Sequence, residues 1–200
     1  EIYEKIITLA PNDDSIFYYL GGVYKDLKML DKATNSLVKA IKLNPQNTFA
    51  RYSLAGIYQE KGESKKALQE YHKIIKINPN DPDSHTQLGF LYSSMNDFDN
   101  ALKSYKKAIS IKPKDPGLHE NIATVYTKIN QIAKAKKHFN LAIDLDPKHF
   151  NSYNSLGNLY KKTGQLRKAI DSISKALQIL ESNEVNDNYS YAYTLKNMGW

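Results

Sequence analysis

The sequence predicts an all-α fold, an α-solenoid built from stacked antiparallel helix pairs. Three observations predict it. The same small, aromatic and apolar residues recur every 34 positions. Within each period the apolar residues fall three, four and seven apart, the stripe of one helix face. Helix-stopping residues then separate two such stripes per period.

The elements follow in order. Each first helix carries an apolar residue and a small one, Leu20-Gly21, Leu54-Ala55, Leu88-Gly89, Ile122-Ala123 and Leu156-Gly157, and three residues on a tyrosine, Tyr24, Tyr58, Tyr92, Tyr126 and Tyr160. The stop is Lys28, Gly62, Asn96, Asn130 or Gly164, and glycine and asparagine accept the left-handed backbone of a helix C-terminus. Each second helix carries an alanine (Ala33, Ala67, Ala101, Ala135, Ala169) and then a large residue (Leu37, Tyr71, Tyr105, Phe139, Ile173). Pro45, Pro79, Pro113 and Pro147 close four of the five periods, because proline has no amide proton to continue a helix. Asp81-Pro82 and Asp115-Pro116 then read as an N-cap with proline in the first turn. A single helix pair cannot bury its own stripe, so neighbouring pairs must stack.

The repeats are expected at 14–47, 48–81, 82–115, 116–149 and 150–183. Residues 1–13 read as the end of a preceding repeat, and 184–200 as a longer polar linker plus the start of a sixth. The chain reads as a piece of a longer array, cut in mid-repeat at both ends.

This pattern of small residue, tyrosine, alanine and proline resembles the tetratricopeptide repeat (TPR) family over nearly the whole chain. The resemblance implies a right-handed superhelix whose first helices line a concave groove and whose second helices form the convex side. It is specific for fold and permissive for function. The enlarged fifth repeat resembles the longer variant repeats of kinesin-light-chain-like proteins. Chaperone-binding members carry a carboxylate clamp of lysine and asparagine on successive first helices, and no three successive repeats supply it here. Glycosyltransferase members carry a groove ladder of asparagines, and the matching slot here holds Tyr19, Ser53, Gln87, Asn121, Ser155 and Asn197, a partial match.

Composition narrows the chemistry. The absence of cysteine excludes disulfides, thiolate metal sites and a cysteine nucleophile. No apolar run approaches the roughly 18 residues of a membrane span, so membrane insertion is not expected. No phosphate loop, metalloprotease helix, nucleophile elbow or calcium loop is present, so neither enzyme chemistry nor a cofactor is expected. His85 and His119 occupy equivalent positions, a slot that elsewhere holds Phe17, Arg51 and Tyr153, which favours packing over a metal site. The net charge of +7 sets 26 lysines and only two arginines against 21 acidic residues. Lys32, Lys66, Lys134 and Lys168 share one second-helix slot, and Lys39, Lys73, Lys107 and Lys175 another. A solvated outer face accounts for this ladder better than nucleic acid, since bidentate recognition of phosphate and guanine favours arginine.

Of the 15 tyrosines, eight (Tyr3, Tyr24, Tyr58, Tyr71, Tyr92, Tyr105, Tyr126 and Tyr160) read as repeat-packing residues. Tyr18, Tyr19, Tyr52 and Tyr193 fall instead on the groove side. The expected groove comprises Tyr18, Tyr19, Gly22, Phe49, Tyr52, Gly56, Gln87 and Phe90 toward the N-terminus, and Asn121, Asn154, Asn158, Lys196 and Asn197 toward the C-terminus. Aromatic walls beside glycines can hold an apolar side chain, and asparagine amides can pair with an extended backbone. The leading reading is therefore a non-catalytic scaffold that binds an extended peptide segment of a protein partner. Two others are the substrate-recognition arm of a larger enzyme, for example a glycosyltransferase-like protein, and a scaffold that self-associates through its repeat ends. The cytoplasm is the favoured compartment.

Overall fold

The computed structural model describes residues 11–182 together with Thr194, Lys196 and Asn197. The expected end of a preceding repeat before residue 11, the polar connection after Ser182, and groove-side Tyr193 lie outside the described residues.

Ten helices and no strands are found among the described residues. They are α1 (Asp14–Asp26), α2 (Leu30–Leu43), α3 (Thr48–Glu60), α4 (Ser64–Ile77), α5 (Pro82–Ser94), α6 (Phe98–Ile111), α7 (Pro116–Lys128), α8 (Ile132–Leu145), α9 (Phe150–Lys162) and α10 (Leu166–Ser182). The chain is an all-α helical-repeat solenoid. It divides into an N-terminal unit, residues 1–91, and a C-terminal unit, residues 92–200.

Local chemistry sets the helix ends. The five residues at the inter-helix stop are the ones with positive φ: Lys28 at 60°, Gly62 at 74°, Asn96 at 60°, Asn130 at 58° and Gly164 at 74°. Lys28 adopts the left-handed conformation without glycine's freedom, a cost of about 1 kcal/mol. Asn47 accepts from Ala50 N at 2.8 Å, Asp81 from Ser84 N at 2.9 Å and Asp115 from Gly117 N at 2.9 Å, each filling an otherwise unmatched amide of a first helical turn. The fifth second helix, α10, runs 17 residues where the other second helices run 14, and no proline stands at its end.

Within each pair, a small residue of the first helix lies opposite a large residue of the second. The core of the N-terminal unit gathers Phe17, Ala33, Leu37, Ala40, Ala50, Leu54 and Ile57. That of the C-terminal unit centres on Tyr105, Ile122, Tyr126, Phe139, Leu156 and Leu159. Two glycines make close approaches that a side chain would disturb. A Cβ on Gly21 would stand 2.7 Å from Leu37 Cγ, and one on Gly157 2.5 Å from Ile173 Cγ1 and 3.2 Å from the Ala169 carbonyl oxygen. The same positions elsewhere hold Ala55 with Tyr71 and Ala123 with Phe139, all buried. A flat ring leaves space for a methyl group that a side chain branched close to the backbone occupies.

A contrast between two glycines tests this packing. Gly157→Ala is expected to destabilise by about 1–2 kcal/mol, overpacking outweighing the better helix propensity of alanine. Gly22→Ala, where a Cβ meets nothing within 4 Å, is expected to stabilise by about 0.5–1 kcal/mol. Urea unfolding of both variants decides it, and equal effects would refute the close approach.

Candidate functional site

In the N-terminal unit the first helices present aromatic side chains to solvent. Phe49 is 73% exposed, Tyr19 60% and Phe90 57%, far more than a packing role requires. Tyr18 and Tyr19 lean on each other, ring centroids 5.2 Å apart, while Tyr52 meets the buried Tyr71 edge-on at 5.3 Å. Tyr18 and Tyr52 are thereby half-buried.

Between them opens a cavity of about 290 Å³. Tyr18, Phe49 and Tyr52 supply its aromatic walls and Ile74 its floor; Thr48, Ser53, Asn78, Asp81 and Asp83 supply the polar rim. The rim carries two carboxylates and no lysine, arginine or histidine. Gly22 and Gly56 leave open backbone on the same first helices, a Cβ on Gly56 lying 4.0 Å from Lys25 Nζ. Beside it runs a chain of hydrogen bonds: Tyr71 Oη donates to Gln59 Oε1 at 2.9 Å, and Gln59 Nε2 to Gln87 Oε1 at 3.4 Å. Burial pushes the Tyr71 hydroxyl well above the ordinary phenol value, so it remains a donor.

The C-terminal unit offers a different surface. A cavity of about 220 Å³ is rimmed by Thr124, Thr127, Ser155, Asn158 and Lys162 over Phe139 and Leu159. Asn158 lines it directly, and Asn121 is half-buried on α7. Asn154 is only 4% exposed, and its Oδ1 accepts from Asn197 Nδ2 at 2.8 Å. Asn154 and Asn197 are thus brought to each other, while Lys196 is exposed. Glu120, on the same helix as Asn121, is raised by burial, and burial lowers His149. Their 3.8 Å approach is therefore a polar contact more than an ion pair.

The slot expected merely to pack does more. Arg51 is buried; its Nε and Nη2 donate to the Pro45 carbonyl at 3.2 and 2.9 Å, and its Nη1 meets Glu70 at 2.9 Å. His85 donates from Nε2 to the Pro79 carbonyl at 3.0 Å, the same link one repeat later. In repeat 4 the slot holds His119, whose Nδ1 lies 3.2 Å from Nδ1 of His138. Arg51–Glu70 and His119–His138 span the same interval of 19 residues. One site at the base of the helix pair is therefore filled by an ion pair in one repeat and an imidazole pair in another. Sequence spacing put His119 in the same slot as His85 and favoured packing; the interval of 19, already present in Arg51 and Glu70, was the signal for His138.

The second-helix lysines also have partners. Lys32, Lys66, Lys134 and Lys168 each lie over the packing tyrosine eight residues earlier, at 5.6 Å from Tyr24, 5.3 Å from Tyr58, 5.4 Å from Tyr126 and 5.8 Å from Tyr160. Four lysines and four tyrosines are thereby joined in one feature, a cation on an aromatic face within repeats 1, 2, 4 and 5. Repeat 3 has Asn100 at this position and lacks it.

Sequence patterns of the tetratricopeptide repeat match at 15–47, 82–115 and 117–149, with overlapping matches at 37–69, 57–96 and 138–171. The chain belongs to the TPR family. No curated protein matches it. Among solved structures it is similar to MamA 41-end from Desulfovibrio magneticus RS-1, at 16% identity and a TM-score of 0.75 over 86% of this chain and 97% of that one. TTC0263, a thermophilic TPR protein in Thermus thermophilus, matches at 22% identity and 0.72, over 94% and 100%. YrrB, described as a TPR protein with an unusual peptide-binding site, matches at 19% identity and 0.69, over 98% of each chain. At these identities the likeness is one of fold. Among the described residues, no helix is long and apolar enough to cross a membrane.

Proposed function

We propose that this TPR chain is a non-catalytic protein-interaction scaffold that holds an extended peptide segment of a partner protein against its first-helix faces. The observation that carries this reading is the aromatic-walled cavity of the N-terminal unit, with exposed Phe49 in its wall, together with exposed Phe90 on a first helix of the same unit. Exposed rings gathered beside a cavity lower their free energy by being covered, and TPR repeats serve as interaction modules. YrrB, a TPR protein with an unusual peptide-binding site, supports a peptide as the class of ligand by analogy of fold. The C-terminal unit carries amides of its own: Asn121 and Asn158 can each donate to a backbone carbonyl and accept from a backbone N–H. Asn154 acts beneath them, positioned by Asn197.

The test uses the full chain and arrays of extended peptides. Phe49→Ser with Phe90→Ser removes two exposed rings and leaves the core untouched, so the thermal transition should hold. Retention by the best peptides should fall roughly tenfold or more, as expected for loss of aromatic anchors. Unchanged retention by a folded double variant would remove the aromatic face from the site.

A further inference from the structure

Resting on the peptide-binding reading above, we propose that the cavity of the C-terminal unit takes the carboxylate of an aspartate or glutamate side chain in the partner's segment. At about 220 Å³ it falls below the roughly 300–1,000 Å³ of small-molecule cavities and suits one side chain. Phe139 and Leu159 form its floor, and its rim carries hydrogen-bond donors: the Thr124 hydroxyl, the Asn158 amide and the Lys162 ammonium, beside Thr127 and Ser155.

What the lining groups already bind decides which ligand they select. Thr127 Oγ1 donates to the Ala123 carbonyl at 2.9 Å and Ser155 Oγ to Glu120 Oε1 at 3.4 Å. The side chains of Thr124, Asn158 and Lys162 make no hydrogen bond or ion pair with any described residue. Two other lysines of the same first helices are engaged, Lys128 with Ser93 Oγ at 3.2 Å and Lys161 with the Asn197 carbonyl at 3.2 Å. Lys162 therefore brings an unanswered positive charge to a lining that contains no carboxylate. Glu120, which Ser155 reaches, stands outside that lining, and burial raises it toward its neutral form. An apolar side chain seated here would cover the donors and return nothing to them. A cationic one would meet Lys162 as a like charge. A carboxylate accepts from hydroxyl, amide and ammonium together, and the second amide proton of Asn158 remains for the segment's backbone. Its single negative charge equals the charge of the lining, whereas a phosphate carries about −2.

The experiment measures binding of the full chain to short peptide sub-libraries, acetylated and amidated at their ends so that side chains alone carry charge. One central position is fixed as glutamate, glutamine, lysine or phosphoserine and the others are randomised. Glutamate should bind roughly tenfold more tightly than glutamine, with lysine weakest. Lys162→Met, at an exposed position, should erase that preference and leave glutamine binding within about twofold of the parent. Lys128→Met removes the same charge from a lysine outside the lining and should keep most of the preference. An equal loss in both variants would assign the preference to the net charge of the chain and overturn the cavity as its source. Glutamine at parity with glutamate overturns the acidic occupant and leaves the peptide-binding reading standing, whereas binding of no sub-library overturns both. Phosphoserine bound tenfold more tightly than glutamate would overturn the carboxylate in favour of a phosphorylated segment. Sedimentation of the chain alone covers the remaining occupant: self-association abolished by Lys162→Met would assign the cavity to an acidic side chain of a second copy and overturn the partner segment.

Discussion

Replacing Glu70 with alanine is expected to destabilise the protein by about 3 kcal/mol, since breaking a buried ion pair leaves its partner's charge uncompensated. The carboxylate is 9% exposed and the Arg51 side chain 11%, so water cannot take over. Glu70 also receives Lys73 at 2.6 Å, which is half-exposed and contributes little by comparison. The stronger part of the test is the double substitution Arg51→Met with Glu70→Leu. Apolar replacements of similar size remove both desolvation costs, and the Pro45 carbonyl lies in an exposed turn where water can satisfy it. The double variant should therefore recover most of the loss in urea unfolding. A Glu70→Ala cost under about 0.5 kcal/mol would mean the pair behaves as a surface contact.

The equivalent site in repeat 4 should produce an acid sensitivity instead. His119 and His138 stack with ring centroids 5.4 Å apart, and their 3.2 Å Nδ1 contact is a hydrogen bond only while one of those two nitrogens lacks a proton. Burial lowers both; for His138 the neighbouring His119, Lys137 and Lys106 lower it further, to about 4, while Asp115 opposes the effect at His119. A base lowered in the folded state binds fewer protons there than when unfolded. Its contribution is fully present above the ordinary value of 6.5, declines as the pH falls below that, and is gone below about 4. At pH 5 the loss from His138 should be about 1–2 kcal/mol, allowing for its partial exposure. His72 and His149 are lowered as well and act in the same direction, whereas Glu120, raised by burial, opposes them as the pH falls toward its own range. His138→Gln separates these contributions. It should cost about 1 kcal/mol at pH 7.5, through the lost hydrogen bond, and lose that disadvantage by pH 5, where it is at least as stable as the parent. Parallel stability profiles for the two proteins would show that the imidazole pair does not titrate as stated.

The fold is legible in the sequence because each repeat states it again. Tyr24, Tyr58, Tyr92, Tyr126 and Tyr160 fix the period, and the stop residues fix the turns, including Lys28, whose propensity alone would not predict a positive φ. Register with Gly62 and Asn96 identifies it. The candidate site was legible in part. Phe49, Tyr52 and Tyr18 follow from helical projection, but Asn78 and Asp81 come from the turn before α5, whose approach to α3 no single-helix projection contains. Asn154 projected onto the open face and is buried against Asn197, because a polar residue beside a neighbouring helix end reads the same in sequence whether covered or open. The Arg51–Glu70 and His119–His138 couples escaped because their members differ in chemistry between repeats, and only the interval of 19 is shared.

The tyrosine–lysine pairing has an evolutionary consequence. In four repeats the ring and the cation that covers it lie eight residues apart inside the same 34-residue segment. A duplication or deletion of one such segment in the gene would copy or remove both partners together. The number of repeats could then change without uncovering a ring or stranding a charge, and array length is free to drift under selection for reach while solubility comes along with each copy.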